Sequence, residues 1–136
     1  IKKGKQKKMY LGNIYAKRDW GHAKDYVEAM WLMLQQKKAS DYVISTGKQY
    51  SVKEFINLSA KKLKMSIFWK GKGLKEKAYF NNKIIIEINP KYFRPSEVDS
   101  LLGDSFKAKK ELNWSPKYDL NSLISEMIEK EKLGYE

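Results

Sequence analysis

A chain of 136 residues, 42% apolar and 13% aromatic, is long enough for about one packed domain and too rich in core formers to be disordered. Its net charge of +12 invites a nucleic-acid reading, but only two of its 28 cations are arginines, Arg18 and Arg94, and a lysine-rich, arginine-poor surface ordinarily means solvated faces. No apolar run approaches the ~20 residues that span a bilayer, no cysteine is present for a disulfide or thiolate metal site, and the opening IKKGKQKK lacks a signal peptide's apolar core.

These exclusions fit a soluble, cytoplasmic protein. Because the first residue is Ile1 rather than Met, the chain is expected to begin inside a longer sequence or to follow processing.

Residues 1–8 read as a basic, helix-compatible stretch, and Met9–Leu11 as a short strand ended by Gly12-Asn13. From His22 to Gln36, Ala23, Val27, Met30, Trp31 and Leu34 recur at helical spacing and define the expected buried stripe. DYVIST, residues 41–46, alternates with β-rich residues and stops at Gly47, so a strand is expected there. Ser51-Val52-Lys53-Glu54 is a capping box opening a helix with Val52, Phe55, Ile56, Ala60 and Leu63 inward.

SIFW (66–69) reads as a strand, followed by the Lys/Gly-rich loop KGKGLKEK, and KIIIEI (83–88) as a further strand. Pro90 and Pro95 bracket an extended segment, since residues before proline avoid the helical region. Ser105 is expected to cap a short helix ending near Asn113, and Asp119 a last helix through Lys132 with Leu120, Leu123, Ile124, Met127 and Ile128 on one face. The alternation makes the fold class α/β. No β-α-β run carries the glycine fingerprint of a dinucleotide-binding core.

Arg18 ends an apolar segment beside Asp19, just before a helix. A guanidinium there can hold a phosphate bidentately with Asp19 fixing its orientation, or form an ordinary surface pair contributing about 0–1 kcal/mol. Lys17 adds a second cation. Arg94, made extended by Pro95, can project from a loop, and Glu97 can accept from a base N–H or a ribose hydroxyl, or simply pair with Arg94. His22, without a Ser or Cys nucleophile, reads as a capping or structural group, and Asp25 as a solvated first-turn acid. The four tryptophans read as core or half-buried packing. No metal-ligand spacing is present, and KGKG (70–73) lacks the surroundings of a phosphate-cradling loop.

LGNIYAKRDWGHAKDYVEAMWLMLQ closely resembles the segment that follows the catalytic half of GDP-mannose 4,6-dehydratases, within the extended short-chain dehydrogenase/reductase family. The resemblance continues in order through DYVISTGKQYSVKEF, YFRPSEVDSLLGD and KAKKELNWSPKYDLNSLISEMI, over nearly the whole chain. It implies that residues 1–136 are the α/β, C-terminal, substrate-binding portion of such an enzyme, with the NADP-binding Rossmann core mostly absent. Arg18 would then bind the sugar-nucleotide diphosphate with Lys17 nearby. Arg94 and Glu97 would sit at the phosphate–ribose–guanine end, and Val43 would touch the ligand.

The family's enzyme is a lyase that converts GDP-D-mannose to GDP-4-keto-6-deoxy-D-mannose, on the route to GDP-L-fucose and related deoxysugars. It oxidises the hexose at C4 with NADP, eliminates water across C5–C6 and returns the hydride to C6. The resemblance places its Gly-rich turn, Thr/Ser–Tyr–Lys set and glutamate base outside this sequence, so no catalytic, cofactor-binding or metal residue is assigned here, and the chain alone is expected to be inactive. It also implies a homo-oligomer acting on GDP-mannose, with neither nucleic acid nor membrane as partner. The lysine-rich loop 69–83 receives no contact. Two other readings stand beside this one: a basic nucleic-acid-binding module, and a stand-alone GDP-sugar-binding protein. Against the former, most aromatics lie on apolar stripes or in strands, as core residues would.

Overall fold

A computed structural model describes residues 1–94 and 98–133. In chain order it contains β1 (Met9–Leu11), β2 (Lys17–Asp19), α1 (Ala23–Leu34), β3 (Gln49–Ser51), α2 (Val52–Lys62), β4 (Phe68–Lys70), β5 (Lys77–Phe80), β6 (Lys83–Ile88), α3 (Phe106–Leu112) and α4 (Leu120–Leu133). Short 3-10 turns occupy Gly73–Lys75 and Pro90–Tyr92. The elements form two compact units, residues 1–16 with 51–99, and residues 17–50 with 100–136.

The first unit is a four-stranded sheet in the order β1-β6-β5-β4, antiparallel except for the parallel β1–β6 pair. The β5 strand is not expected from periodicity. It forms because Asn81-Asn82 makes the two-residue connection to β6 with both residues left-handed, φ 49° and 59°, as a hairpin turn matched to strand twist requires. Asn tolerates that region better than other non-glycine residues. One sheet face meets α2, where Ile56, Ala60 and the capping Leu63 pack with Met9, Leu11, Ala78 and Ile86. Burying an Ile such as Ile86 contributes about 1.5–3 kcal/mol.

The capping box at α2 is complete: the Ser51 hydroxyl accepts from the Glu54 amide and the Glu54 carboxylate from the Ser51 amide. The lysine-rich loop hides a carboxylate, Glu76, which is 2% exposed. It pairs with Lys53 at 2.6 Å and accepts from the Tyr15 hydroxyl at 2.7 Å, so the loop is joined to the first turn of α2 and to the turn after β1.

Three expectations fail in this unit. Residues 1–8 form turns rather than a helix, because five lysines repel one another and Gly4 takes φ +75°. The fourth strand starts two residues later than SIFW predicts. The segment after Asn89 opens as a 3-10 turn, with Pro90 at its first position and the Asn89 side chain accepting from Lys91 N.

In the second unit, α1 and α3 approach through Ala29 and Ala108, both fully buried, with Leu112 and Trp114 alongside. Asp25 lies at the start of this contact and is not solvated: it is 1% exposed. Its carboxylate accepts from the amides of Lys117 and Tyr118 at 3.1 Å each, and its carbonyl from the Trp114 indole at 2.9 Å. One residue, through its carboxylate and its carbonyl, therefore staples residues 114–118 across the first turn of α1.

The expected buried stripe of α1 faces outward: Val27 is 63% exposed and Leu34 82%, with Ala23, Met30 and Trp31 also exposed. The packed side is Asp25, Ala29, Leu32 and Met33. Spacing identifies an apolar stripe but not its partner, and α1 carries two such stripes. The 41–46 stretch is extended without a ladder among the described residues, although Tyr42 and Ile44 pack on the Ala29–Ala108 cluster. A strand needs a neighbour's hydrogen bonds, which local sequence does not supply.

At the start of α3 the cap comes from Asp104, whose carboxylate accepts from Phe106 N, while the buried Ser105 hydroxyl makes no side-chain cap. Asp119 caps α4 as expected, accepting from Ser122 N at 2.8 Å, and Leu120 and Ile124 are its buried residues, whereas Met127 is exposed.

Asp25→Ala removes a buried carboxylate from two amides and should lower unfolding free energy by about 3 kcal/mol, read by denaturant titration. Leu34→Ser should change it by less than about 0.5 kcal/mol. Comparable losses in both would contradict the assigned faces of α1.

Candidate anion-binding site

The cluster between β1 and α1 is built by backbone anchoring. In β2, Arg18 is half-buried and donates from Nη1 to the Lys17 carbonyl at 2.7 Å. Asp19 points its carboxylate at the following turn. One oxygen accepts from the Thr46 amide at 3.0 Å and the Thr46 hydroxyl at 2.6 Å, and the other from the Gly47 amide at 2.9 Å. Gly47 has φ +73°, which a side chain would strain. The acid expected to orient Arg18 thus fastens the arginine's strand to residues 46–47.

A third stretch joins these two. Lys17 pairs in parallel with Ser100, Leu101 N donates to the Lys17 carbonyl at 3.3 Å, and Gln49 donates to the Ser100 hydroxyl at 2.8 Å. Gly103 lies so close to the 43–45 segment that a Cβ there would stand 2.4 Å from Ser45 Cβ and 3.3 Å from a Val43 methyl carbon. Residues 17–19, 43–47 and 100–103 consequently form one shelf in the second unit. It carries Arg18, the exposed Lys17 and the exposed Val43.

Arg94 belongs to the first unit and is exposed there. It follows the Pro90–Tyr92 turn, which is laid along the end of β1: Asn89 N donates to the Leu11 carbonyl at 2.8 Å, and a Cβ on Gly12 would stand 2.2 Å from Tyr92 O. Glycine at position 12 is therefore what lets the chain approach before Arg94. Glu97 lies outside the described residues.

His22 is buried and structural. Its Nδ1 accepts from Lys24 N at 3.1 Å, so the ring proton is on Nε2, which stands 3.1 Å from Glu126. The ring stacks on Tyr118 at 4.3 Å, and Lys24 pairs with the same Glu126 at 2.9 Å. The Lys24 ammonium first, and His22 after it, hold the Glu126 carboxyl below its ordinary range. Gly21 is required by Tyr26, whose hydroxyl lies 2.0 Å from where a Cβ would be. Burial first, then the charges of Asp19 and Asp25, pushes the Tyr26 hydroxyl above its ordinary range, so it stays neutral beside the β2 turn.

Of the tryptophans, Trp114 is buried, Trp20 and Trp69 are half-buried with their indoles bonded to Tyr50 O and Asn57, and Trp31 is exposed. Four positions that build the shelf, Thr46, Gly47, Ser100 and Gly103, carry no individual sequence signal. Gly47 and Gly103 could be noticed only as glycines at a strand end and in a loop. Among the described residues no group of three or more His, Cys, Asp or Glu could hold a metal ion, and no helix is long and apolar enough to cross a membrane. The shelf offers cations that suit an anion, and among the described residues it presents no nucleophile paired with a base.

The sequence model of the GDP-mannose 4,6 dehydratase family matches residues 1–127. The chain is 52% identical over 130 residues to a GDP-mannose 4,6 dehydratase of Dictyostelium discoideum, covering 94% of this chain and 36% of that protein. It is 55% identical over 120 residues to one from Drosophila melanogaster, covering 87% and 30%. Among solved structures, the RMD of Pseudomonas aeruginosa complexed with NADPH superposes with a TM-score of 0.69 at 18% identity, over 90% of this chain and 35% of that one. The chain thus spans about a third of the length of these curated relatives. With almost every residue matched and half of them identical to these relatives, the chain belongs to the GDP-mannose 4,6-dehydratase family.

Proposed function

We propose that this chain is the GDP-sugar-binding portion of an NADP-dependent GDP-mannose 4,6-dehydratase, a cytoplasmic lyase acting as a homo-oligomer. The observation that carries the reading is the shelf. An arginine is held half-buried on a strand whose neighbouring acid fastens that strand to Thr46 and Gly47, which fixes where the guanidinium stands. Arg18 then takes the diphosphate of GDP-mannose, with Lys17 beside it and Val43 against the ligand. Arg94 and Glu97 take the phosphate–ribose–guanine end. Charge-assisted bonds to arginine contribute about 1.5–3 kcal/mol each.

A nicotinamide dinucleotide does not fit the described residues. One first-turn amide of α1 and one of α2 already donate to the side chains of His22 and Ser51, and no glycine-rich strand-to-helix turn is present among the described residues. In this reading the remaining length of the enzyme holds the cofactor and the chemical groups, and this chain supplies substrate binding and orientation. The outward stripe of α1, apolar on a helix whose other side is already packed, is where the remaining length of such an enzyme would lie.

Calorimetric titration should show GDP binding preferred over UDP, weakened at least about tenfold by Arg18→Ala and by Arg94→Ala. Binding that ignores both substitutions would overturn the reading. Asp19→Ala leaves every cation in place yet releases the shelf, and should also weaken GDP by about tenfold with helix content unchanged by circular dichroism. Thr46→Ser, which keeps the hydroxyl, should bind as the parent does.

A further inference from the structure

The charge of this chain is not shared between its units. The first holds sixteen cations against five carboxylates, the second twelve against eleven, so nearly the whole +12 sits on residues 1–16 and 51–99. Within that unit α2 covers one face of the sheet, and among the described residues the side chains on the other face are exposed or half-buried. Strand register puts Tyr10, Lys70, Phe68, Tyr79 and Lys77 on the open side: Tyr10 lies opposite Glu87, Lys77 opposite Glu87, Lys70 opposite Lys77, and Phe68 opposite Tyr79.

These aromatics are not core. Tyr10 is 50% exposed and Phe68 40%. The Phe68 and Tyr79 rings stack at 5.2 Å with 9° between planes, and the Lys70 ammonium stands 5.5 and 5.8 Å from their centroids. Lys8 lies 5.7 Å from the Tyr10 centroid. Beside Tyr10 runs an open groove of about 550 Å³, lined also by Leu74, Lys75, Lys77 and Asn89. Among the described residues the single carboxylate on this face, Glu87, is already paired with Lys8 at 2.6 Å and Lys77 at 2.7 Å, which hold it below its ordinary range, Lys77 most strongly. The face therefore keeps a positive balance.

We propose that this open face binds single-stranded nucleic acid, a function separate from GDP-sugar recognition. Exposed rings interleaved with ammonium groups match a polymer that alternates stackable bases with phosphates, and duplex bases would be out of reach of the rings. Lysine supplies charge without the planar fork that reads base edges, so binding is sequence-tolerant. With three to four lysines engaged, log affinity against log salt has a slope of about −2 to −3.

The test is fluorescence anisotropy of labelled oligo-uridylate with the whole chain over a salt series. The expected result is saturable binding with that slope, weakened about tenfold in Lys70→Glu/Lys75→Glu and in Tyr10→Ala/Phe68→Ala, and retained by Tyr10→Phe. The control Lys61→Glu/Lys64→Glu changes net charge equally on the side of α2 and should cost less than about threefold. Equal loss in both charge-reversal pairs would mean attraction by overall charge and would overturn the proposal. So would an absence of binding at low salt, or tighter association with phosphatidylserine vesicles than with the oligonucleotide. Circular dichroism of each variant separates loss of the face from loss of fold, and the two charge-reversal pairs decide the matter if the aromatic variant unfolds.

Discussion

Asp19 accepts three hydrogen bonds from two consecutive residues, Thr46 and Gly47, and the presentation of the candidate anion site depends on them. A carboxylate with both oxygens on amides and a hydroxyl is a strong, directional anchor. It fixes the turn after residues 41–46 against β2, and so sets the height at which Arg18 and Val43 are presented. Gly47 and Gly103 serve the same end. The first supplies a left-handed turn, and the second allows the 100–103 stretch to lie against Ser45. An arginine can meet an anion bidentately only where its strand cannot shift, because orientation is what such a contact rewards.

The residues around Arg18 that look chemical by composition are structural. His22 caps a helix and stacks on Tyr118, Asp25 staples residues 114–118, and Gly21 makes room for the Tyr26 hydroxyl. This accounts for so many polar types in so few residues. The neighbours of Arg18 hold the strand and helix beside it. In the first unit Glu76 plays the corresponding part, joining the lysine-rich loop to Tyr15 and Lys53.

The two units differ in what they leave uncovered. The second exposes an apolar helix stripe with almost no net charge, a surface suited to protein. The first exposes rings and ammonium groups on an open sheet, a surface suited to a polyanion. The same +12 total would have quite different consequences if spread evenly, because local charge density rather than the sum governs counterion release.

By itself the sequence determined the helices, whose 3.6-residue periodicity and caps are local: the Ser51–Glu54 box and the Asp119 cap lie where three-residue spacing puts them. It also determined the family, since AKRDWGHAKDYVEAMW keeps its residues in order, and it marked Arg18 and Arg94 as the cations to examine. Only the tertiary structure decided which stripe of α1 is covered, whether 41–46 has a ladder, that Asp25 and Glu76 are buried, and that Asp19 accepts from Thr46 and Gly47. Each of these depends on a partner tens of residues away in the chain. Periodicity says that a face is apolar or a carboxylate available; what meets it is fixed by chain topology, which no local window contains.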